Sequence, residues 1–216
     1  MASTIKNICK GVIIMVAVVF CSCTKYEYID GGLANGVHDC SMWDYFHTNG
    51  YDWDSTKVMI EHAGMKSFFD GTGEYKQITF FGITNHVICR YLLEKGYTRV
   101  SDIDVADCKK LLEALIVPKR LMTEEIPEGR RLVIKDNITE EGGAVYESVR
   151  GELFLWKLQD PYQGMEHAGA FHLYIAIRNN EKAKPEVVAS SNIQTNNGVV
   201  QSLNYDFNVS NFLINR

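Results

Sequence analysis

Gln77-Ile78-Thr79-Phe80-Phe81-Gly82-Ile83-Thr84-Asn85-His86 passes from one kind of structure to another within ten residues. Gln77 to Ile83 is a nearly unbroken apolar run, rich in β-branched and aromatic side chains. It is too short for a helix and reads as a buried strand. Thr84 and Asn85 then turn the chain from strand to helix, with the Asn85 side chain placed to accept from helix amides. The helix predicted over His86 to Lys95 stops at Gly96, which tolerates the left-handed conformation of a helix end.

Outward from this point, the two directions differ. On the N-terminal side, Cys40 to Thr48 reads as a short helix ended by Asn49-Gly50. Asp54 or Ser55 is placed to cap a second helix carrying Val58, Met59, Ala63 and Met65. Phe68 and Phe69 lead into a turn at Asp70-Gly71-Thr72-Gly73. On the C-terminal side, Asp104 caps a helix running to about Leu115, and Pro118 bars its continuation. Beyond it come strand patterns at Arg131 to Lys135, Ala144 to Val149, Glu152 to Leu158, His172 to Arg178, Glu186 to Ala189 and Val199 to Leu203. Asn197-Gly198 between polar and apolar runs is a tight-turn signal. Helices first and strands later predict an α+β fold, a helical half packed on a mainly antiparallel sheet or sandwich.

Three stretches, in order, resemble the fasciclin family. Thr79 to Asn85 resembles its first signature, with Gly82 and Ile83 where the family usually has Ala and Pro. Leu111-Leu112-Glu113-Ala114-Leu115-Ile116-Val117-Pro118 resembles its central Leu-Leu-x-Tyr-His-Val-x-Pro segment, with Ala114 and Leu115 in place of Tyr-His. Ser191 to Val200 is similar to the second signature, in which Asn-Gly-Val-Val opens a late strand, and Gln201 stands where His is frequent. The resemblance covers Asp39 to Asn204 and implies a single fasciclin-like domain over 39–216, enlarged in its β region around 119–185. It implies fold-signature roles for Thr79, Phe81, Thr84, Asn85, Pro118, Asn192, Asn197 and Gly198. Such signatures specify a fold more than a chemistry. The family's association is with adhesion and extracellular binding, so a non-enzymatic module is expected.

The N-terminus speaks to location. Lys6 and Lys10 precede the apolar run Val12 to Phe20, too short to span a bilayer at ~20 residues per membrane helix. Phe20-Cys21-Ser22-Cys23 resembles the lipobox of bacterial lipoproteins in the relaxed form of the Bacteroidetes. That resemblance implies a signal peptide over 1–22, acylation of Cys23 and attachment to the bilayer through it. A single acyl chain holds a protein marginally, whereas two or more hold it stably. Residues 23–38 lack an apolar period and read as a flexible tether. The expected location is the cell envelope, lipid-anchored at the outer membrane and facing the cell surface. Lipoproteins of this type resemble accessory components of outer-membrane glycan-uptake systems. The expected partners are therefore a transporter and its lipoprotein lid, or a glycan.

Composition narrows the remaining classes. Without residues 1–22 the chain keeps 194 residues, with 20 basic against 27 acidic side chains, a net charge of −7. An acidic chain without a basic cluster is not built for nucleic acid. Cys108 falls on the helical stripe Val105, Cys108, Leu112, Leu115 and reads as a buried small hydrophobe, while Cys40 and Cys89 are left as a conceivable bridge. No cofactor motif is present, and Glu166, His167 and His172 form no metal-ligand pattern. Glu124-Glu125 and Glu140-Glu141 read as solvated loop pairs; were either on a strand, adjacent carboxylates would point to opposite faces. No catalytic residue is expected; the alternative is a secreted envelope hydrolase of unknown substrate.

The aromatic residues offer a binding surface instead. Trp43, Tyr45, Phe46, Tyr51 and Trp53 interleave with Asp44, Asp52 and Asp54. Ring faces beside carboxylates suit sugars, whereas core packing is the commoner fate of large aromatics. Trp43, Tyr51, Trp53 and the turn residue Tyr162 are the ligand-contact candidates. Asp54-Ser55-Thr56 also resembles a bacterial O-glycosylation acceptor, against the simpler reading of Ser55 as a helix cap.

Overall fold

A computed structural model describes residues 35–134, 137–165, 168–178 and 184–213. The expected signal peptide, Cys23 and most of the expected tether lie outside the described residues, as do Glu166 and His167. No helix among the described residues is long and apolar enough to cross a membrane.

The apolar run at Gln77 becomes strand β1 (Ile78–Gly82), and all five of its residues are buried. It lies inside a seven-stranded sheet. Its neighbours are β2 (Ile116–Val117), antiparallel, and β9 (Gly198–Leu203), parallel, with Ile78 opposite Gly198. The sheet continues through β8 (Glu186–Thr195), β7 (Phe171–Ile177), β6 (Gly151–Gln159) and β5 (Ala144–Ser148), all antiparallel. Its two edges meet. The Val149 N–H, just past β5, donates to Ile116 O of β2 at 2.8 Å, so neither edge is left fully open there.

The helical half packs on this sheet. It comprises α1 (Met42–Thr48), α2 (Gly50–His62), α3 (Lys66–Phe69), α4 (Asn85–Lys95) and α5 (Val105–Ala114); α6 (Val209–Leu213) follows β9. Met42, Phe46, Trp53, Met59, Ile60 and Phe69 share one core with Phe80, Phe81, Val200 and Leu203. Its centre is aromatic. Phe46 and Trp53 ring centroids lie 4.9 Å apart, and Phe69 meets Phe80 edge-on at 5.0 Å.

Strand β6 packs on both of its faces. Leu153, Phe154, Leu155 and Trp156 are all buried. Leu153 and Leu155 belong to the main core, whereas Phe154 and Trp156 form a second cluster with Ala176, against which Tyr174 packs. Alternate side chains face opposite sides, so both faces of β6 are covered. Trp156 stacks on its cross-strand partner Tyr174 with centroids 5.3 Å apart. A separate antiparallel pair, β3 (Gly129–Ile134) and β4 (Asn137–Gly142), packs on the sheet at β6. The turn beyond it comes so close that a Cβ at Gly143 would sit 2.6 Å from the Phe154 ring.

Several expectations require correction. The second helix begins at Gly50, not at Asp54 or Ser55; Ser55 lies in its second turn, half-buried, and caps nothing. Asn85 does not cap its own helix, which has Thr84 at the cap position. Its side chain holds the neighbouring helix instead: Oδ1 accepts from Ser55 N at 2.7 Å, and Nδ2 donates to Gly50 O and Tyr51 O. The β8–β9 turn is Asn196-Asn197, and Gly198 is already in the strand. Glu140-Glu141 lie on β4, not in a loop, and face Arg131 and Arg130 across the hairpin. Cys40 and Cys89 are both free thiols and form no bridge. Cys108 is buried as expected, and burial pushes its thiol up to about 12.

Candidate functional site

The signature residues act together as a clamp on the segment after Pro118. The Thr79 hydroxyl donates to Lys119 O at 2.7 Å and accepts from Leu121 N at 2.8 Å. Gln201, fully buried on β9, donates through Nε2 to Leu121 O at 3.2 Å. Asn192 Oδ1 accepts from the Thr123 N–H at 2.9 Å and from the Thr123 hydroxyl at 3.0 Å. Three side chains from β1, β9 and β8 thus satisfy the backbone of a segment that has no ladder of its own. At the other end of β9, Asn197 Oδ1 accepts from Met42 N at 2.7 Å, and Nδ2 donates to Phe69 O at 2.9 Å.

The clamped segment ends in a short 3-10 turn, Thr123–Glu125, at the rim of a cleft of about 270 Å³. Thr123, Glu124, Lys157, Phe171, Ser191 and Asn192 line it. Strand β8 bulges here, with a register shift between Ser190 and Ile193. Asn192 takes a positive φ of 59° within it. Asn tolerates this conformation better than most residues, and bulges commonly re-aim side chains beside functional surfaces. The strained backbone is held by Asn192 N donating to Gln201 Oε1 at 2.9 Å.

Two charged groups are fixed in the cleft. Asn192 Nδ2 donates to both carboxylate oxygens of Glu124, at 3.0 and 3.2 Å. The Lys157 ammonium donates to Glu124 O at 3.2 Å and lies 5.3 Å from the centre of the Phe171 ring. Phe171 itself is 46% exposed. Further along the β6–β7 connection, Tyr162 and Met165 close a tight turn through two backbone hydrogen bonds of 3.0 Å, and both side chains are exposed.

The candidate aromatics distribute differently from the expectation. Trp53 is 2% exposed and belongs to the core, so it is removed as a ligand contact. Trp43 is half-buried against the core, with Lys66 Nζ 4.8 Å from its ring centre. Tyr51 is 85% exposed on the first turn of α2, and Tyr162 is exposed on the β6–β7 turn. None of the four lines the cleft. Thr123, Lys157 and Phe171 are the cleft residues that the sequence leaves unmarked, and Ser191 is marked only as part of the second signature stretch. The polar run Ser190-Ser191-Asn192, just past the strand pattern at Glu186 to Ala189, is a signal for the β8 side of the cleft alone. Among the described residues no group of three or more His, Cys, Asp or Glu side chains is placed to hold a metal ion.

No protein-family model matches the chain, and no curated protein matches it. A solved structure does: the FAS1 domain pair from the insect cell adhesion molecule fasciclin I, with a TM-score of 0.50 and 13% identity. The match covers 76% of this chain and 49% of that one, so the chain spans about half the length of the domain pair. At this identity the likeness concerns the fold. The helical half, the mainly antiparallel sheet and the structural match together make this a fasciclin-like α+β fold.

Proposed function

We propose that this fasciclin-like domain is a non-enzymatic binding module, tethered to the cell envelope through acylated Cys23. The cleft at the β8 bulge carries the reading. Thr123, Glu124, Lys157 and Asn192 are fixed there by hydrogen bonds of the fold, and the Glu124 carboxylate is held by an amide. Among the described residues, no histidine or second carboxylate lines the cleft to complete an acid–base pair. The arrangement suits recognition, with donors, acceptors and a ring held in place before a ligand arrives. The adhesion role of the insect molecule with this fold points the same way.

The finer reading rests on the Ser22-Cys23 motif. It makes the protein an outer-membrane, surface-facing lipoprotein that serves as an accessory of a glycan transporter and its lipoprotein lid. Anchoring concentrates the module at the membrane, where weak contacts gain effective concentration. The test is a pull-down of the full chain from native membranes in mild detergent, with mass spectrometry of what co-purifies. Recovery of a transporter and its lid supports the assembly; a monomer recovered alone overturns it. Cys23→Ser is expected to move the protein from the membrane fraction to the soluble fraction. A variant that stays membrane-bound removes the anchor.

A further inference from the structure

We infer that the cleft at the β8 bulge is a binding site for one ring of a neutral saccharide chain, an inference that rests on the binding-module reading.

The first observation is preorganisation. An exposed glutamate ordinarily samples many rotamers, and ordering it on binding costs affinity. Glu124 is exposed, yet the Asn192 amide holds both of its oxygens. The amide can do so because Asn192 sits at a positive φ, in a bulge pinned by Gln201. A strained residue kept at a surface cleft asks for a reason, and aiming the carboxylate supplies one.

The second observation is the pairing of chemistries. The cleft offers a carboxylate acceptor, the exposed Ser191 hydroxyl, and an ammonium donor beside the half-exposed Phe171 ring. Glu124 and Lys157 offset each other, so the cleft favours no ionic ligand. A pyranose fits these demands. Its hydroxyl edge takes a carboxylate and an ammonium, and its C–H face lies on an aromatic ring.

The third observation is size and shape. About 270 Å³ falls just short of the ~300–1,000 Å³ of pockets that swallow a whole small molecule. The cleft therefore accommodates one unit of a longer molecule. An extended peptide is a poor occupant, because the register shift between Ser190 and Ile193 interrupts the regular ladder that an added strand would copy.

The experiment is calorimetric titration of the full chain in detergent micelles with xylotetraose, mannotetraose, maltotetraose and cellotetraose, and with tetragalacturonate as the anionic comparison. Saturable binding of at least one neutral tetrasaccharide is expected. Phe171→Ala and Glu124→Gln should each weaken it about tenfold, the scale of one aromatic contact or one charge-assisted hydrogen bond. Phe171→Tyr should retain binding, and Leu93→Ala, on the exposed face of α4 outside the cleft, should leave it unchanged. All of these are surface residues, and circular dichroism checks that each variant is folded. Failure of all four neutral sugars at millimolar concentration overturns the inference, as does tighter binding of tetragalacturonate. So does binding that survives both cleft variants. The binding-module reading stands or falls separately, on the membrane pull-down repeated with Glu124→Gln. An envelope partner recovered without any sugar binding leaves the module and removes the saccharide.

Discussion

Gly82 and Trp53 are fitted to each other. A Cβ at position 82 would lie 2.6 Å from two atoms of the indole and 3.2 Å from Val200. The fasciclin signature usually carries Ala there, so the glycine makes room for a tryptophan in the core. Gly82→Ala should destabilise the protein by about 1–3 kcal/mol through overpacking. Trp53→Phe in the same chain should return part of that loss. Denaturant midpoints of the four proteins in the double-mutant cycle give the coupling, and strict additivity would remove the claim. Glu186 makes a second prediction. Burial first, then the Asp206 carboxylate, raises its pKa from 4.5 to about 7, against the Asn208 backbone hydrogen bond, Arg90 and Lys184. The folded state therefore holds this proton more tightly than the unfolded chain. The group's contribution to stability is fully present below about pH 4.5 and is lost as pH rises through about 7. The melting temperature should fall more across that window in the wild type than in Glu186→Gln; parallel profiles would contradict it. Residue identities alone could place Asn85 at a helix start, but not show that its amide serves the neighbouring helix across 30 to 35 positions of sequence. That partner exists only once the chain is folded.

The β3–β4 hairpin is the element least legible in advance. Asn137–Gly142 has a single large apolar residue, Ile138, and so no alternation to read. What makes it a strand is charge across the ladder. Arg130 meets Glu141 at 2.5 Å, and Arg131, its side chain fully buried, meets Glu140 at 3.4 Å. Arg178 links Glu140 onward to Glu152, at 3.4 and 3.3 Å, and Arg131 also donates to Ile177 O at 3.1 Å. The hairpin is thus fastened to the sheet that it packs on by ions as well as by apolar contact. Removing one member strands a buried cation, which typically costs ~3–5 kcal/mol, whereas an apolar replacement of both partners is often close to neutral. Glu140→Ala is expected near the lower end of that range, and Arg131→Met with Glu140→Leu within about 1 kcal/mol of wild type. Chemical denaturation followed by near-ultraviolet dichroism checks both, since Trp156 and Tyr174 report on the neighbouring cluster. By contrast, β1, the Gly96 helix stop and the Asp104 cap follow the sequence reading closely, because each depends on nearest neighbours. The cleft was opaque for the opposite reason: its lining comes from the 123–125 turn, β6, β7 and β8.

Across the whole molecule, the order of strands in the sheet departs most from the order in the chain. β9 follows every other described strand in sequence and yet lies between β1 and β8. Its pairing with β1 joins Ile78 to Gly198, and a Cβ at Gly198 would sit 2.0 Å from Ile78 O. Gly198→Ala should therefore be among the most damaging single substitutions, at about 3 kcal/mol or more, with loss of a sharp thermal transition as the readout. A chain cut after Thr195 loses β9 together with the β1 pairing, the Gln201 clamp and the buried Phe207 and Phe212. That fragment should show helical dichroism without protease resistance. β9 thus behaves as a proof of completeness. Before it docks, β1 lacks its parallel partner and the segment after Pro118 lacks its Gln201 clamp. A copy nicked upstream of it lacks the strand and the buried aromatics that complete the core, and is expected to be the first to fall to proteolysis.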